Sequence, residues 1–520
     1  MLHSRKNRFP RVGGAVALGL AAALTFSACS GGGTEAGGKT SGDQVLTFGL
    51  SSDPPQPITG VSQGAAMNAL LAMVHRGLTQ FNTDGSVGDG LAESVEQPDE
   101  TTYVFTLREG LTFNDGSDLT ADNVKATLDY IRDVEHGTFL APMLTDVASV
   151  ESDGERSVTV KLTTPNTAFL EMLALPYASI VPDASLNPET PNWVGAGPFS
   201  MTELEQGIGV TMEKYDGYYG ADGVALDTVE VKFYPDGEAR TNALLSGDVD
   251  LIDYVTWENF DRVADAGFTV DSVDGPFQYV QFNVDGTPFA DPKVRQAVAY
   301  ALNRDNSVLA AFQGNGSPLY GVSVLESDPA YDKNLSEMWE YDPEKAKQLL
   351  AEAGYPEGFD TTLLATSQYT FLQDNALSVK EDLAAVGINA TLDSPDWAGR
   401  IAKGNEGDYD LAVSGDTGIL TDPSYLQTWV VDGRSYNVSW GYKNDQIKEL
   451  IGEGLRATDD ADKHAVYQKV RALWKEDVPF ASLNVRAQAY GYNDSVAGFE
   501  PLPGTLVFFS GYNFENISMK

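Results

Sequence analysis

The chain of 520 residues contains one cysteine and only four histidines. The single cysteine, Cys29, has no partner for an internal disulfide. The histidines are scattered along the chain, which does not favour a histidine-rich metal site; they are His3, His75, His136 and His464. The patterns HExxH and CxxC are absent, so nothing indicates a zinc protease or a dithiol redox protein. We expect no catalytic residue, no metal and no cofactor.

Basic residues are also few. The chain carries 34 Lys and Arg against 75 Asp and Glu, a formal net charge of −41. Such a surface repels nucleic acid and anionic lipid, so we expect no nucleic-acid partner. Hydrophobic residues make up 42% and aromatic residues 10%, which is enough for a packed core. A chain of this length exceeds what one core usually spans, so we expect two or more lobes.

Long apolar runs are restricted to the N-terminus. A basic head is followed by an uncharged, mostly apolar run, Val12–Phe26, and by the small residues Ser27 and Ala28. This layout predicts a secretory signal over residues 1–28, and the run is short for a membrane span. Cys29 followed by SGGG resembles the lipobox of bacterial lipoproteins, in which the cysteine is lipidated and becomes the mature N-terminus. Phe26 departs from that family's Leu, and an ordinary signal cleaved nearby is the alternative.

Residues 29–43 are rich in Gly, Ser and Thr and contain almost nothing to bury. This composition predicts a flexible tether. Within it, GTEAGGKT (33–40) fits the phosphate-loop pattern GxxxxGK[ST]. That motif requires a buried strand before it and a helix after it, and neither pattern is present. We interpret the match as chance, and Lys39 as a tether residue.

The rest of the chain alternates strand and helix patterns. Asp118 or Thr120 can cap a helix that runs to Ile131. Asp291 and Asp342 each precede a proline at the first position of a predicted helix. Alternating apolar residues predict strands at 45–50, 102–107, 157–162, 228–234 and 278–284. The chain therefore reads as α/β.

Six segments, in order, resemble the extracellular solute-binding proteins of peptide/nickel-type ABC importers, the dipeptide- and oligopeptide-binding family. They are HRGLTQFNTDGSVGDGLAESVE (75–96), TYVFTLREGLTFNDGSDLTADNVKATLDYI (102–131), VGAGPFSM (194–201), VKFYPDGEARTNALLSGDVDLID (231–253), FNVDGTPFADPKVRQAVAYALNRD (282–305) and YDPEKAKQLLAEAGYPEGF (341–359). The resemblance covers the chain from about residue 45 to its end. It implies an α/β, two-lobed periplasmic-binding-protein-like fold of type II, the large peptide-binding class, with an extra subdomain in lobe I.

The resemblance also implies how the chain is divided and what it does. Two crossing segments join the lobes, ligand is enclosed by hinge closure, and the closed form is presented to membrane permeases. The expected function is a monomeric, lipid-anchored substrate-binding component of an ABC importer, at the extracellular face of the cell membrane, with no chemistry on its ligand. The implied segments are 44–75 and 194–276 (lobe I), 76–193 (extra subdomain), 277–490 (lobe II) and 491–520 (return to lobe I).

Several residues are then expected to meet the ligand. In related peptide binders, a second-lobe aspartate shortly before a proline pairs with the ligand's amino group. Asp416 starts the matching segment, seven residues before Pro423 rather than four. Asp422 is its competitor, although a residue before proline is more often structural. Trp397 matches a pocket aromatic, with a core tryptophan as the alternative.

Three further aromatic residues complete the expected site. Dipeptide binders have an arginine two residues before a Tyr. Tyr369 matches that Tyr, and the arginine position is Ser367 here. Its loss argues against strict dipeptide recognition but not against a longer peptide bound along its main chain. Tyr436 and Trp440 could contact either a peptide or a sugar.

A peptide is thus the expected ligand. An oligosaccharide or another neutral solute, stacked on Trp and Tyr, is the alternative within the class, and nickel is disfavoured by the histidine count. A secreted hydrolase on an α/β scaffold is the alternative from another class.

Overall fold

The computed structural model describes residues 44–189, 192–322, 338–416, 422–431 and 433–520. The predicted signal peptide, Cys29, the tether and the phosphate-loop match all lie outside these residues.

In the described part of the chain, eleven strands form the largest sheet. Its order is β15-β14-β16-β12-β17-β11-β1-β10-β9-β8, and β13 pairs with β17 beside this path. A four-stranded sheet, β4-β5-β7-β6, and the two pairs β2-β3 and β18-β19 lie apart. The strands are β1 Val45–Leu50, β2 Thr79–Phe81, β3 Val87–Asp89, β4 Ala92–Asp99, β5 Thr102–Leu107, β6 Val147–Ser152, β7 Ser157–Leu162, β8 Phe199–Glu205, β9 Gly209–Lys214, β10 Thr228–Phe233, β11 Leu251–Ile252, β12 Thr269–Phe282, β13 Gly316–Pro318, β14 Phe359–Leu364, β15 Ile388–Asp393, β16 Leu411–Asp416, β17 Ala481–Tyr492, β18 Val496–Ala497 and β19 Ser518–Met519.

Helices cover the sheets, together with two long 3₁₀ segments at Pro423–Trp429 and Gly504–Asn516. No helix among the described residues combines the length and apolarity needed to cross a membrane. The α-helices are α1 Ala65–Val74, α2 Ala121–Ile131, α3 Phe169–Ala174, α4 Gly237–Ser246, α5 Phe260–Asp265, α6 Pro292–Ala301, α7 Arg304–Phe312, α8 Pro343–Glu352, α9 Thr370–Ala385, α10 Trp397–Glu406, α11 Asp445–Arg456 and α12 Asp460–Asp477.

Two long antiparallel strands, β12 and β17, connect the two halves of the large sheet. One end of β17 pairs with β11, which leads to β1, β10, β9 and β8; we call this half lobe I. The other end of β12 pairs with β16, which leads to β14 and β15; this half is lobe II. The register of the pair shifts between Asp274 and Phe277, around Gly275 and Pro276. The ladder is therefore interrupted where the chain passes between the lobes.

Each lobe has its own core. In lobe II the sheet packs against α6, α8, α9, α11 and α12 around fully buried side chains such as Trp474. In lobe I, α1 packs on β1, β9 and β10, and a neighbouring core lies under the four-stranded sheet and α2. The C-terminal 3₁₀ segment contributes Phe509 to this neighbouring core and Phe514 to the lobe I core. The end of the chain thus ties the four-stranded subdomain to lobe I.

The predicted strands and helix starts are largely confirmed, with one difference at the start of β12. Asp291 and Asp342 each accept a hydrogen bond from a first-turn N–H, as predicted. Thr120, rather than Asp118, caps α2. β12 begins at Thr269, well before the predicted start at Gln278. The sequence pattern missed the first part of the strand because Gly275 and Pro276 in its middle resemble a strand break.

Candidate functional site

The candidate site lies at one edge of the lobe II sheet. β14 lies between β15 and β16 and is parallel to both, so the three strands point their carboxyl ends the same way. The segment after β14 leads to Tyr369, the segment after β15 leads to Trp397, and Asp416 is the last residue of β16. In open α/β sheets this edge is where ligands bind. The topology therefore brings together three predicted residues that are far apart in sequence.

Tyr369, Trp397 and Tyr436 form a continuous row of rings, which we call the aromatic row. The Trp397 ring is 5.1 Å from that of Tyr369 and 5.9 Å from that of Tyr436, and both contacts are edge-to-face. Trp397 begins α10, where Asp396 caps the helix by accepting a hydrogen bond from the Gly399 N–H at 2.8 Å. Tyr369 is 38% exposed. Trp397 and Tyr436 are half-buried, and Trp397 also packs against the lobe II core, so the row presents part of its ring surface at the sheet edge.

Asp416 adjoins this row. Its Oδ2 accepts a hydrogen bond from the Asn437 side chain at 3.1 Å, and Asn437 directly follows Tyr436. Burial first, and then the Asp416 carboxylate, raises the pKa of three neighbouring phenols; they are Tyr279, Tyr425 and Tyr436. The Asp416 carboxylate thus lies among tyrosine side chains, beside the aromatic row.

Arg400 holds the row in place and was not anticipated from the sequence. It lies one helical turn after Trp397 and is 1% exposed. Its guanidinium carbon is 5.4 Å from the Trp397 ring and 5.7 Å from the Tyr436 ring. It donates hydrogen bonds to the carbonyl of Val413 at 2.8 Å and to that of Tyr436 at 3.2 Å. Its i+3 spacing from Trp397 was the available signal, but the contacts with β16 arise only in the folded chain.

Asp422, the competitor of Asp416, has a structural position. It is 3% exposed and caps the 3₁₀ segment that starts at Pro423, accepting a hydrogen bond from the Ser424 N–H at 2.8 Å. Its other oxygen is 2.6 Å from Nζ of Lys463, which is also buried. These contacts account for the carboxylate without a ligand.

Trp440 is not brought to the aromatic row. The backbone N–H of Trp440 donates to the carbonyl of Phe282, at the far end of β12, whereas Asp416 pairs with Phe277. Five residues of strand separate the two levels, about 16 Å at 3.3 Å per residue. The Trp440 ring packs against Tyr409 and under the Arg434 guanidinium. We therefore leave Trp440 out of the candidate site.

One serine pattern was overlooked in the sequence. GVSQG, residues 60–64, fits the GxSxG motif, whose serine stands on a sharp turn between a strand and a helix. Here α1 does follow the motif, but no strand leads into it. Ser62 is exposed and its hydroxyl is 3.1 Å from that of Tyr177. Without the strand, the match lacks the context of a nucleophile elbow. No cluster of three or more potential metal ligands occurs among the described residues.

Comparison with known proteins places this geometry in a wider group. A family model described as "Bacterial extracellular solute-binding proteins, family 5 Middle" matches residues 86–437. The glutathione-binding protein GsiB of Escherichia coli (strain K12) is 28% identical over 530 residues, covering 98% of each chain.

Solved structures agree with this relationship. The binding protein AgaA from A. tumefaciens R10, in complex with agropinic acid, is 38% identical, with a TM-score of 0.80 over 92% of this chain and 99% of that one. The ABC transporter-associated periplasmic binding protein DppA from Helicobacter pylori, in complex with the peptide STSA, is 22% identical, with a TM-score of 0.75 over 91% of this chain and 98% of that one. The fold class predicted from the sequence is confirmed.

Proposed function

Because the chain belongs to family 5 of the bacterial extracellular solute-binding proteins, we propose that it captures a peptide between its two lobes and delivers it to the permease of an ABC importer. Its relatives are solute-binding proteins and not enzymes. The family is extracellular or periplasmic.

The observation that carries the peptide proposal is the position of Asp416 beside the aromatic row. A free amino group would pair with the Asp416 carboxylate, and the rings of Tyr369 and Trp397 would cover apolar side chains. An ammonium–carboxylate pair gains strength as water is excluded. The Asn437 amide, 3.1 Å from Asp416, orients that carboxylate. DppA, which was solved with a peptide, shares the fold.

Hinge closure is supported by the way the lobes are joined. β12 and β17 both pass between them, and the β12 ladder is interrupted at Gly275 and Pro276. Such an interruption leaves few hydrogen bonds to resist bending at that point. Away from these strands the lobes also touch: the Thr167 N–H donates to the carbonyl of Leu455 at 2.8 Å. A small number of such contacts would be made and broken as the lobes close.

Attachment to the membrane is proposed from the sequence. Cys29, after the signal-like residues 1–28, would carry the lipid, and residues 29–43 would act as the tether. A lipidated monomer at the extracellular face of the membrane would remain within reach of the permease while its lobes open and close. A single acyl chain holds weakly, so a stable anchor needs more than one.

A thermal-shift screen tests the proposed ligand class. A ligand that binds only the folded state raises the melting temperature, and the rise grows with the logarithm of its concentration relative to Kd. Pools of free tripeptides and tetrapeptides should raise the melting temperature, whereas neutral oligosaccharides should not. Stabilisation by oligosaccharides alone would make the aromatic row a sugar-stacking surface and replace the peptide proposal.

A further inference from the structure

An arginine on the crossing strand β17 lies at the same sheet edge as Asp416. Phe277 of β12 pairs on one side with Asp416 and on the other with Val485, the residue before Arg486. Neighbouring strands are about 4.8 Å apart, so the backbones of Asp416 and Val485 are about 10 Å apart. Arg486 is therefore one residue from the level of Asp416, and by strand alternation its side chain leaves the sheet on the face opposite to that of Val485.

Three aromatic rings surround the Arg486 guanidinium, and they come from both lobes. Its central carbon is 5.6 Å from the ring of Tyr254 and 5.9 Å from that of Trp257, which both follow β11 of lobe I. It is 5.2 Å from the ring of Phe371, in the first turn of α9 in lobe II. Cation–π contacts of this kind hold a guanidinium in place but occupy none of its N–H donors. Arg486 thus stands where the lobes meet.

The positions of two of these rings depend on backbone features. The Trp257 indole N–H donates to the carbonyl of Ala487 at 2.8 Å, which locks lobe I onto β17. Tyr254 has φ of 46°, one of the few positive values among the described non-glycine residues. Such a conformation is unfavourable for a bulky residue and is maintained only when its surroundings require it. The surroundings that impose this conformation also place the Tyr254 ring 5.6 Å from the guanidinium carbon.

Within the described residues, the guanidinium of Arg486 has very few acceptors. Its one hydrogen bond, to the Tyr254 hydroxyl, is long at 3.4 Å. Its Nε is buried and has no hydrogen-bond partner among the described residues. Arg304, by contrast, donates to five backbone carbonyls. A half-buried guanidinium with unused donors is costly unless an acceptor arrives.

We propose that Arg486 binds a carboxylate of the ligand, opposite the amino group at Asp416. A carboxylate fits the guanidinium fork with two parallel hydrogen bonds. At about 3.3–3.6 Å per extended residue, three residues span about the 10 Å between the backbones of β16 and β17. The ligand class is then a short zwitterionic peptide, and Arg486 takes over the role left open at Ser367. This inference rests on the proposed peptide function.

The test compares peptides that differ only at the C-terminus. Pooled tripeptides with a free carboxylate and the same pool as C-terminal amides are titrated against wild type, Arg486→Gln and Arg486→Lys, and the bound fraction is read by native mass spectrometry. Wild type should bind the amide pool about tenfold to a hundredfold more weakly, as expected for hydrogen bonds to a charged group. Arg486→Gln should bind the two pools alike, whereas Arg486→Lys, which keeps the charge but not the bidentate fork, should keep part of the difference. The exposed Arg434→Gln is the matched control that should behave as wild type.

The outcomes separate this inference from the proposed function. Equal binding of the two pools by wild type would overturn the role of Arg486 while leaving peptide capture standing. Binding of neither pool by wild type would overturn both. The amide comparison on wild type needs no substitution, so it decides the matter even where an Arg486 variant fails to fold.

Discussion

At the scale of single residues, two aspartates separated by a short segment have different environments. Asp422 is a buried helix cap paired with Lys463 at 2.6 Å. Asp416 is only partly buried, at the end of β16 and beside the aromatic row. Because a residue that meets a ligand must be reachable, the difference in exposure favours Asp416.

Asp416→Asn should weaken free-amine peptides strongly and N-acetylated peptides hardly at all. The substitution keeps the shape and removes the charge, so the ligand's ammonium would be enclosed without its partner. That typically costs about 2–5 kcal/mol, or roughly thirtyfold to several thousandfold in affinity. Isothermal titration of both peptide forms against both proteins measures the coupling.

Asp422→Asn is the control for this experiment. It should lower stability without changing the ratio of the affinities for free and acetylated peptides, because the Asp422 carboxylate already contacts the Ser424 N–H and Lys463. A zero coupling at Asp416 together with a large coupling at Asp422 would reverse the assignment.

The sequence predicted part of this site. Asp416, Trp397 and Tyr369 were selected from a resemblance, and Tyr436 as an aromatic residue that could contact a peptide or a sugar. The structure brings these four to one edge. Trp440 was selected in the same way as Tyr436, but it lies about 16 Å from the level of Asp416 along the strand. The local sequence of a loop does not indicate which level of the sheet the loop contacts. Arg400 and Arg486 were missed because their significance depends on rings that come from distant parts of the chain.

At the scale of elements, glycines near α1 control how closely segments approach. A Cβ on Gly195 would lie 2.4 Å from the carbonyl oxygen of Val74, at the end of α1. The backbone of the segment VGAGPF therefore lies close to the end of α1.

Gly195→Ala should therefore destabilise the protein. The cost should be about 1–3 kcal/mol, as for other overpacked sites, and urea unfolding measures it. Gly223→Ala is the matched control, because a Cβ there meets nothing within 4 Å. Equal midpoints for the two variants would show that the segment can move away from α1 at little cost.

Local signals sufficed for most elements. Aspartate caps before proline located the starts of α6 and α8, and alternation located β1, β5 and β7. The full length of β12 was not predictable, because its first half is largely exposed and gains its pairing from β17, more than 200 residues later. Crossing strands are a product of topology, and their local sequence does not identify them.

At the scale of the whole molecule, the proposed anchor is tested by Cys29→Ala. Removing the thiol removes the lipid attachment point, so the variant should appear in the medium or remain unprocessed, whereas wild type stays with the membrane. Fractionation followed by immunoblotting measures this. A variant that sediments with membranes as wild type does would contradict the lipoprotein proposal.

X-ray scattering tests whether the protein captures its ligand by closing its two lobes. The purified protein is measured alone and after saturation with the tightest peptide from the thermal-shift screen. Closure of lobe I on lobe II about β12 and β17 brings mass toward the centre, so the radius of gyration should fall when the peptide is bound. An unchanged radius of gyration at saturation would contradict a hinged, two-lobed peptide binder.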